Sequence, residues 1–156
     1  MSATSDADWM RCCLGQAELA SRAGEVPVGA AVVRDAELLA VGRNSSIALH
    51  DPTAHAEVVA LRAAAAKVGN YRIADSVLYV TVEPCILCVG AALQARVSRI
   101  VFGCRDPKGG ALGSIADFTN HPALNHRFEV TAGVCEAEAK RLLQEFFQER
   151  RRTRVG

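Results

Sequence analysis

The sequence predicts a three-layer α/β/α domain around a five-stranded mixed sheet, with residues 1–156 forming a single unit. Three observations lead there: an amphipathic helix leads into two short apolar runs, a strand–helix–strand succession fills the centre, and a polar helix closes the chain. Residues 7–23 place Trp9, Cys12, Cys13, Gln16, Leu19 and Ala20 at three- and four-residue steps, with Gly24 as the stop. The apolar runs VPVGAAVVR and ELLAVGRN, joined by a polar turn around Asp35, read as a hairpin. Pro52 and Thr53 open a second helix over residues 54–68, whose alanine-rich stretch has high helix propensity. Residues 76–82, SVLYVTV, form a β-branched strand, followed by an apolar helix over 86–95 and a strand over 99–103. That succession implies a right-handed crossover and parallel pairing. A polar loop over 105–126, broken by a short segment near Ile115, leads to a strand at 128–130 and a last helix over 136–152.

Half of the residues are hydrophobic, 22% are charged and 5% aromatic, which is ordinary for a folded soluble domain and argues against disorder. No run of eighteen apolar residues is free of charge, and MSATSDADWMRCC lacks the basic start and apolar core of a signal peptide. A cytoplasmic protein with no membrane partner is expected. In that reducing setting the six cysteines are thiols rather than disulfides, and only Cys85 and Cys88 have metal-ligand spacing. Cys12, Cys13, Cys104 and Cys135 read as small buried hydrophobes. The net charge of +1 names no partner, but residues 1–60 hold four Lys/Arg against eight Asp/Glu, while residues 91–156 hold eleven against seven. The tail Glu149-Arg150-Arg151-Arg152-Thr153-Arg154 has two readings, a phosphate contact or a solvated helix end whose cations suit the C-terminal dipole.

Two segments carry chemistry: Thr53-Ala54-His55-Ala56-Glu57 at the start of the second predicted helix, and Glu83-Pro84-Cys85-Ile86-Leu87-Cys88 at the start of the third. Cysteines three apart at a helix start project from one turn, and the positive helix end favours the thiolates that bind metal. His55 makes three protein ligands, which leaves a tetrahedral zinc one open position for water and so marks a catalytic site. Glu57, two residues on and not a ligand, is placed to move protons. Each residue alone has an ordinary structural explanation as a cap, a first-turn acid or a buried thiol. Together, in this order and at these helix starts, they match the H-x-E and P-C-x-x-C pair of the zinc deaminases.

From Trp9 to Arg152 the chain resembles the bacterial tRNA adenosine deaminases of the cytidine/deoxycytidylate deaminase superfamily. The resemblance rests on Val26-Pro27-Val28-Gly29-Ala30, Gly42-Arg43-Asn44, His50-Asp51-Pro52-Thr53-Ala54-His55-Ala56-Glu57, Asn70-Tyr71-Arg72 and Leu78-Tyr79-Val80-Thr81-Val82-Glu83-Pro84-Cys85. Val101-Phe102-Gly103, Gly113-Ser114 and Asn125-His126-Arg127 extend it. It implies a cytidine-deaminase-like fold and hydrolytic conversion of the wobble adenosine of a tRNA anticodon to inosine, with one zinc per chain held by His55, Cys85 and Cys88 and with Glu57 as the catalytic acid–base. It also implies a homodimer, a tRNA anticodon stem-loop as partner rather than DNA, contact of Asn44 with the target base, and contact of Asp106 and Lys108 with anticodon nucleotides. Phe146 and Phe147 match a last helix that lines the RNA groove, though an aromatic pair on an amphipathic helix also suits the core. The chain departs from the family at Ile86-Leu87, where methionine commonly precedes the second cysteine, at Cys104, where a small residue is usual, and at Phe118-Thr119-Asn120. A free-base or nucleotide deaminase acting on guanine or cytosine derivatives is the rival on the same fold; a non-catalytic RNA-binding module is the rival of another class.

Overall fold

The computed structural model describes residues 4–155; residues 1–3 and 156 of the expected 1–156 unit lie outside the described residues. Its elements in chain order are α1 (Asp6–Arg22), β1 (Gly29–Arg34), β2 (Glu37–Arg43), α2 (Ser46–Leu49), α3 (Ala56–Val68), β3 (Ser76–Val82), α4 (Ile86–Ala95), β4 (Arg99–Cys104), β5 (Glu129–Thr131) and α5 (Glu136–Val155). The sheet order is β2-β1-β3-β4-β5. β1 runs antiparallel to both β2 and β3, while β3, β4 and β5 are mutually parallel. This is the mixed five-stranded sheet that the sequence predicts, with α3 and α4 packed on one face and α1 and α5 on the other.

This topology decides where a site can form. Because β1 is antiparallel to its two neighbours, β2, β3 and β4 all point the same way, and their carboxyl ends meet at one sheet edge. Ligand sites of open α/β sheets lie at such an edge. Asn44 follows β2, Glu83 to Cys85 follow β3, and Arg105 to Lys108 follow β4, so three loops remote in sequence converge there.

Local chemistry explains most boundaries. Ser5 and Asp8 form a reciprocal capping box at the start of α1. The hairpin turns on Asp35 and Ala36, both at positive φ (53° and 59°), the two-residue geometry that matches strand twist. Gly42 lets β2 touch α3, since a Cβ there would collide with the Ala56 carbonyl oxygen. Val32, Leu78, Val80, Ile100 and Phe102 are fully buried under α3 and α4, and Cys13 of α1 is fully buried against the opposite face of the sheet.

The structure departs from the sequence reading in four places. α3 begins at Ala56 rather than at residue 54, because the chain stays extended through His55 (φ −71°, ψ 152°). The four-residue α2 has no counterpart among the predicted elements; its free N–H groups are held by the buried carboxylate of Glu25, which accepts from Ile47 (3.1 Å) and Ala48 (2.9 Å). The expected segment near Ile115 forms neither helix nor strand, only an isolated bridge between Leu112 and Asp117. Of the four cysteines read as buried, Cys13 and Cys104 are buried, whereas Cys12 and Cys135 are partly exposed on their helix margins.

Candidate metal centre and substrate cleft

His55 and Cys85 occupy equivalent places, each the N-cap residue of a helix, and neither side chain caps its own helix. For α3 the duty falls to Asn44, whose Oδ1 accepts the Ala56 N–H at 2.8 Å. That substitution frees the imidazole of His55 to turn toward the second helix start. Cys88 lies in the first turn of α4, so both sulfurs face the same point. His55 Nδ1 stands 3.5 Å from Cys85 Sγ and 3.4 Å from Cys88 Sγ, and the sulfurs are 3.8 Å apart.

These spacings fit one tetrahedral ion. Sulfurs about 2.3 Å from zinc stand about 3.8 Å apart, and a nitrogen about 2.0–2.1 Å from the ion stands about 3.5 Å from each sulfur. Among the described residues this is the group of His, Cys and acidic side chains whose ligand atoms converge closely enough to hold a metal. The electrostatics agree with the donor set. The hydrogen-bonded contact with Cys88 and the proximity of His55 hold the Cys85 thiol down at about 3, while the same contact and burial push the Cys88 thiol up. A dipositive ion held by the three side chains would remove that competition by stabilising both sulfurs as thiolates.

Glu57 follows on the first turn of α3 with 4% of its surface exposed. Burial is the main cause that raises its carboxyl above the ordinary value. It faces the same space as His55 and Cys85, a cleft of about 1030 Å³ at the sheet edge. Asn44, Asp106 and Lys108 line this cleft too, so the structure brings all seven residues singled out from the sequence to one place, with Cys88 behind Cys85. α5 forms the far wall through Lys140, Leu143, Gln144, Phe147, Gln148 and Arg151, one helical face at three- and four-residue steps. The aromatic pair divides: Phe146 is buried under the Arg150 guanidinium, and Phe147, 45% exposed, faces the cleft.

Two buried carboxylates escape the sequence reading. Glu25 anchors α2, and Glu83 anchors the loop after β4. The side chain of Glu83 has no exposed surface, and it accepts the backbone N–H of Asp106 (3.1 Å), Leu112 (3.0 Å) and Ser114 (3.1 Å) as well as the Ser114 hydroxyl. The available signal was Glu83 standing in an otherwise apolar strand end directly before Pro84-Cys85.

A family profile for MafB19-like deaminases matches residues 4–151. A tRNA-specific adenosine deaminase of Haemophilus influenzae is 48% identical over 147 residues, covering 94% of this chain and 85% of that protein. The chain belongs to the tRNA-specific adenosine deaminase family. A solved structure from a study of A-to-I editing by tRNA:A34 deaminases at the wobble position superposes with a TM-score of 0.84 at 38% identity, over 86% of this chain and 98% of that one. A guanine deaminase from Bacillus subtilis also shares the fold, with a TM-score of 0.62 and 31% identity over 78% of this chain and 80% of that one. Within the adenosine deaminase family, then, this chain keeps a fold that free-base deaminases also use, and the metal cluster alone does not name the ring.

Proposed function

We propose that the chain is a cytoplasmic, zinc-dependent hydrolase, one domain over residues 1–156, that converts adenosine to inosine at the wobble position of a tRNA anticodon and works as a homodimer. The observation that carries this reading is the His55–Cys85–Cys88 cluster at the floor of a cleft that also admits Glu57 and is walled by cationic side chains. His55, Cys85 and Cys88 would hold one zinc, which would supply the acidity that turns a water molecule into a hydroxide-like nucleophile. Glu57 is placed to take one proton from the attacking water and give it to the ring nitrogen beside the exocyclic amine, then to take the remaining hydroxyl proton and give it to the departing amine. Water and adenosine yield inosine and ammonia. Burial, the main cause, raises the Glu57 carboxyl above its ordinary value, which suits a group that must both accept and donate a proton.

Asn44 uses its carbonyl on Ala56, which leaves the amide NH₂ to donate to the target base. Arg105, Lys108, Lys140, Arg150 and Arg151 on the cleft walls suit a polyanion, and an anticodon loop presents an unpaired base that enters without breaking a duplex. Exposed Ile47, Leu49, Ile86 and Leu87 supply the apolar surface that a second copy would cover. The relatives named for tRNA adenosine deamination support the substrate; the guanine deaminase likeness favours a free purine as the second reading. Zinc-loaded protein is expected to release ammonia from an anticodon stem-loop bearing wobble adenosine. Turnover of free guanine with an inert stem-loop would overturn the assignment.

A further inference from the structure

We propose that Glu83 is a positioning residue: its buried carboxylate sets where the loop carrying Asp106 and Lys108 stands relative to the Pro84-Cys85 turn, and so governs how tightly the nucleotides beside the target base are held. This rests on the tRNA reading above and assigns to Glu83 a task separate from metal binding and proton transfer. The geometry is specific. Oε1 accepts from Asp106 N and from the Ser114 hydroxyl, while Oε2 accepts from Leu112 N and Ser114 N. One carboxylate therefore closes both ends of a nine-residue excursion, residues 106–114, on which no helix or strand is built.

The same loop is stitched to the metal turn by its backbone. Ala111 N donates to Pro84 O at 2.9 Å, and Gly110 bridges Cys85. Gly110 is required for this contact, because a Cβ there would overlap the Glu83 carboxylate. Arg105 completes the frame: its Nη1 lies 3.9 Å from Glu83 Oε1 and 3.3 Å from Leu112 O, with the guanidinium over the Phe102 ring. At the cleft end of the loop, Lys108 N donates to Asp106 Oδ1 at 3.1 Å, so the placing of the Asp106 backbone also places Lys108. A shift of the Asp106 anchor moves the reading wall while His55, Cys85, Cys88 and Glu57, held by α3 and α4, stay where they are.

The two carboxylate oxygens make the inference testable by a single isosteric change. In Glu83→Gln the amide oxygen can keep the Leu112 and Ser114 N–H groups, and the NH₂ then opposes the Asp106 N–H, releasing only the end of the loop that carries Asp106 and Lys108. Ser114→Ala removes the hydroxyl donor and leaves all three backbone bonds. Steady-state kinetics on a wobble-adenosine stem-loop, with metal content measured alongside, are expected to show KM raised about tenfold in Glu83→Gln, as for loss of one charge-assisted bond, and less in Ser114→Ala. Metal content should be unchanged, and kcat should stay within about threefold, the signature of weakened binding with the chemistry intact. Glu83→Asp, which keeps the charge, should recover part of the KM. An active wild type whose Glu83→Gln variant loses kcat at unchanged KM, loses metal, or behaves as wild type overturns the inference and leaves the tRNA reading intact. A wild type inert on the stem-loop overturns both.

Discussion

The helix cap that Asn44 makes and the base contact proposed for it use different ends of one amide group, so the two can be separated. Its oxygen caps α3 at Ala56, and loss of such a cap costs about 1 kcal/mol. Asn44→Asp keeps the acceptor and removes the NH₂ donor. Chemical denaturation is expected to show Asn44→Asp close to wild type and Asn44→Ala destabilised by about 1 kcal/mol, with stem-loop turnover impaired in both. Equal stability loss in both variants would leave the cap without its assigned role. Glu57 gives the sharper case, since it is buried beside the donors yet is not one of the three that converge. Glu57→Gln should lower kcat by at least about a hundredfold, the usual worth of a positioned acid–base group, with about one zinc per chain retained. Metal loss in that variant would show that Glu57 supports the ion rather than the proton transfer.

At the scale of elements, the close approach of β2 and α3 positions the histidine. A Cβ on Gly42 would meet both Ala56 O and Ala60 N, so Gly42→Ala must push α3 outward at the turn that carries His55 and Glu57. Overpacking of this kind costs about 1–3 kcal/mol, and thermal melting together with zinc titration should show lower stability and weaker metal retention in the same variant. α1 is tied across the sheet in a different way. The Arg99 guanidinium grips Asp6 through Nη1–Oδ2 (2.8 Å) and Nη2–Oδ1 (2.9 Å), and Tyr79 donates to Oδ1 at 2.7 Å. The Arg99 hydrogen bond, foremost, holds the Asp6 carboxyl below its ordinary value. A depressed folded-state value means stability that is present above the unfolded value, about 3.9, and is lost as pH falls through the folded one. Asp6→Asn is therefore expected to cost about 1 kcal/mol at pH 7, the difference from wild type shrinking below about pH 4 when urea unfolding is measured across that range.

Over the whole molecule, the cleft exists because a helix from the far end of the chain closes a sheet edge built by its first two thirds. Lys140, Arg150 and Arg151 reach it from α5, and Arg105 and Lys108 from the loop after β4. The carboxylate of Glu83 is taken up by loop N–H groups, so the surface left for a polyanion is mainly cationic. The apparent KM for a stem-loop should rise with salt, and Lys140→Ala or Arg151→Ala should each flatten the log–log slope by about 0.7–0.9, the amount expected when one fewer phosphate is neutralised. An unchanged slope would return the basic face of α5 to the solvated reading that the sequence also allowed. Light scattering on the isolated protein should give the mass of two chains.

The sequence by itself determined most of the elements and the residue pattern of the candidate site. Strand β3 and helix α4 have the boundaries that their β-branched and apolar runs imply, and the grouping of His55, Glu57, Cys85 and Cys88 was legible because the metal ligation and proton transfer proposed for them would restrict residue type and spacing severely. Local patterns gave no element at α2, and they did not show the loop partners of Glu25 and Glu83 or which of Phe146 and Phe147 faces the core. A four-residue helix has no periodicity to read, and a buried acid differs from an exposed one only by partners remote in the chain: 22 residues separate Glu25 from Ile47, and 31 separate Glu83 from Ser114. Tertiary structure alone decided that Asn44 caps α3 and so releases His55 toward the cysteines. The physical reason is the antiparallel placing of β1, which aligns β2, β3 and β4 and brings their three following loops to one edge.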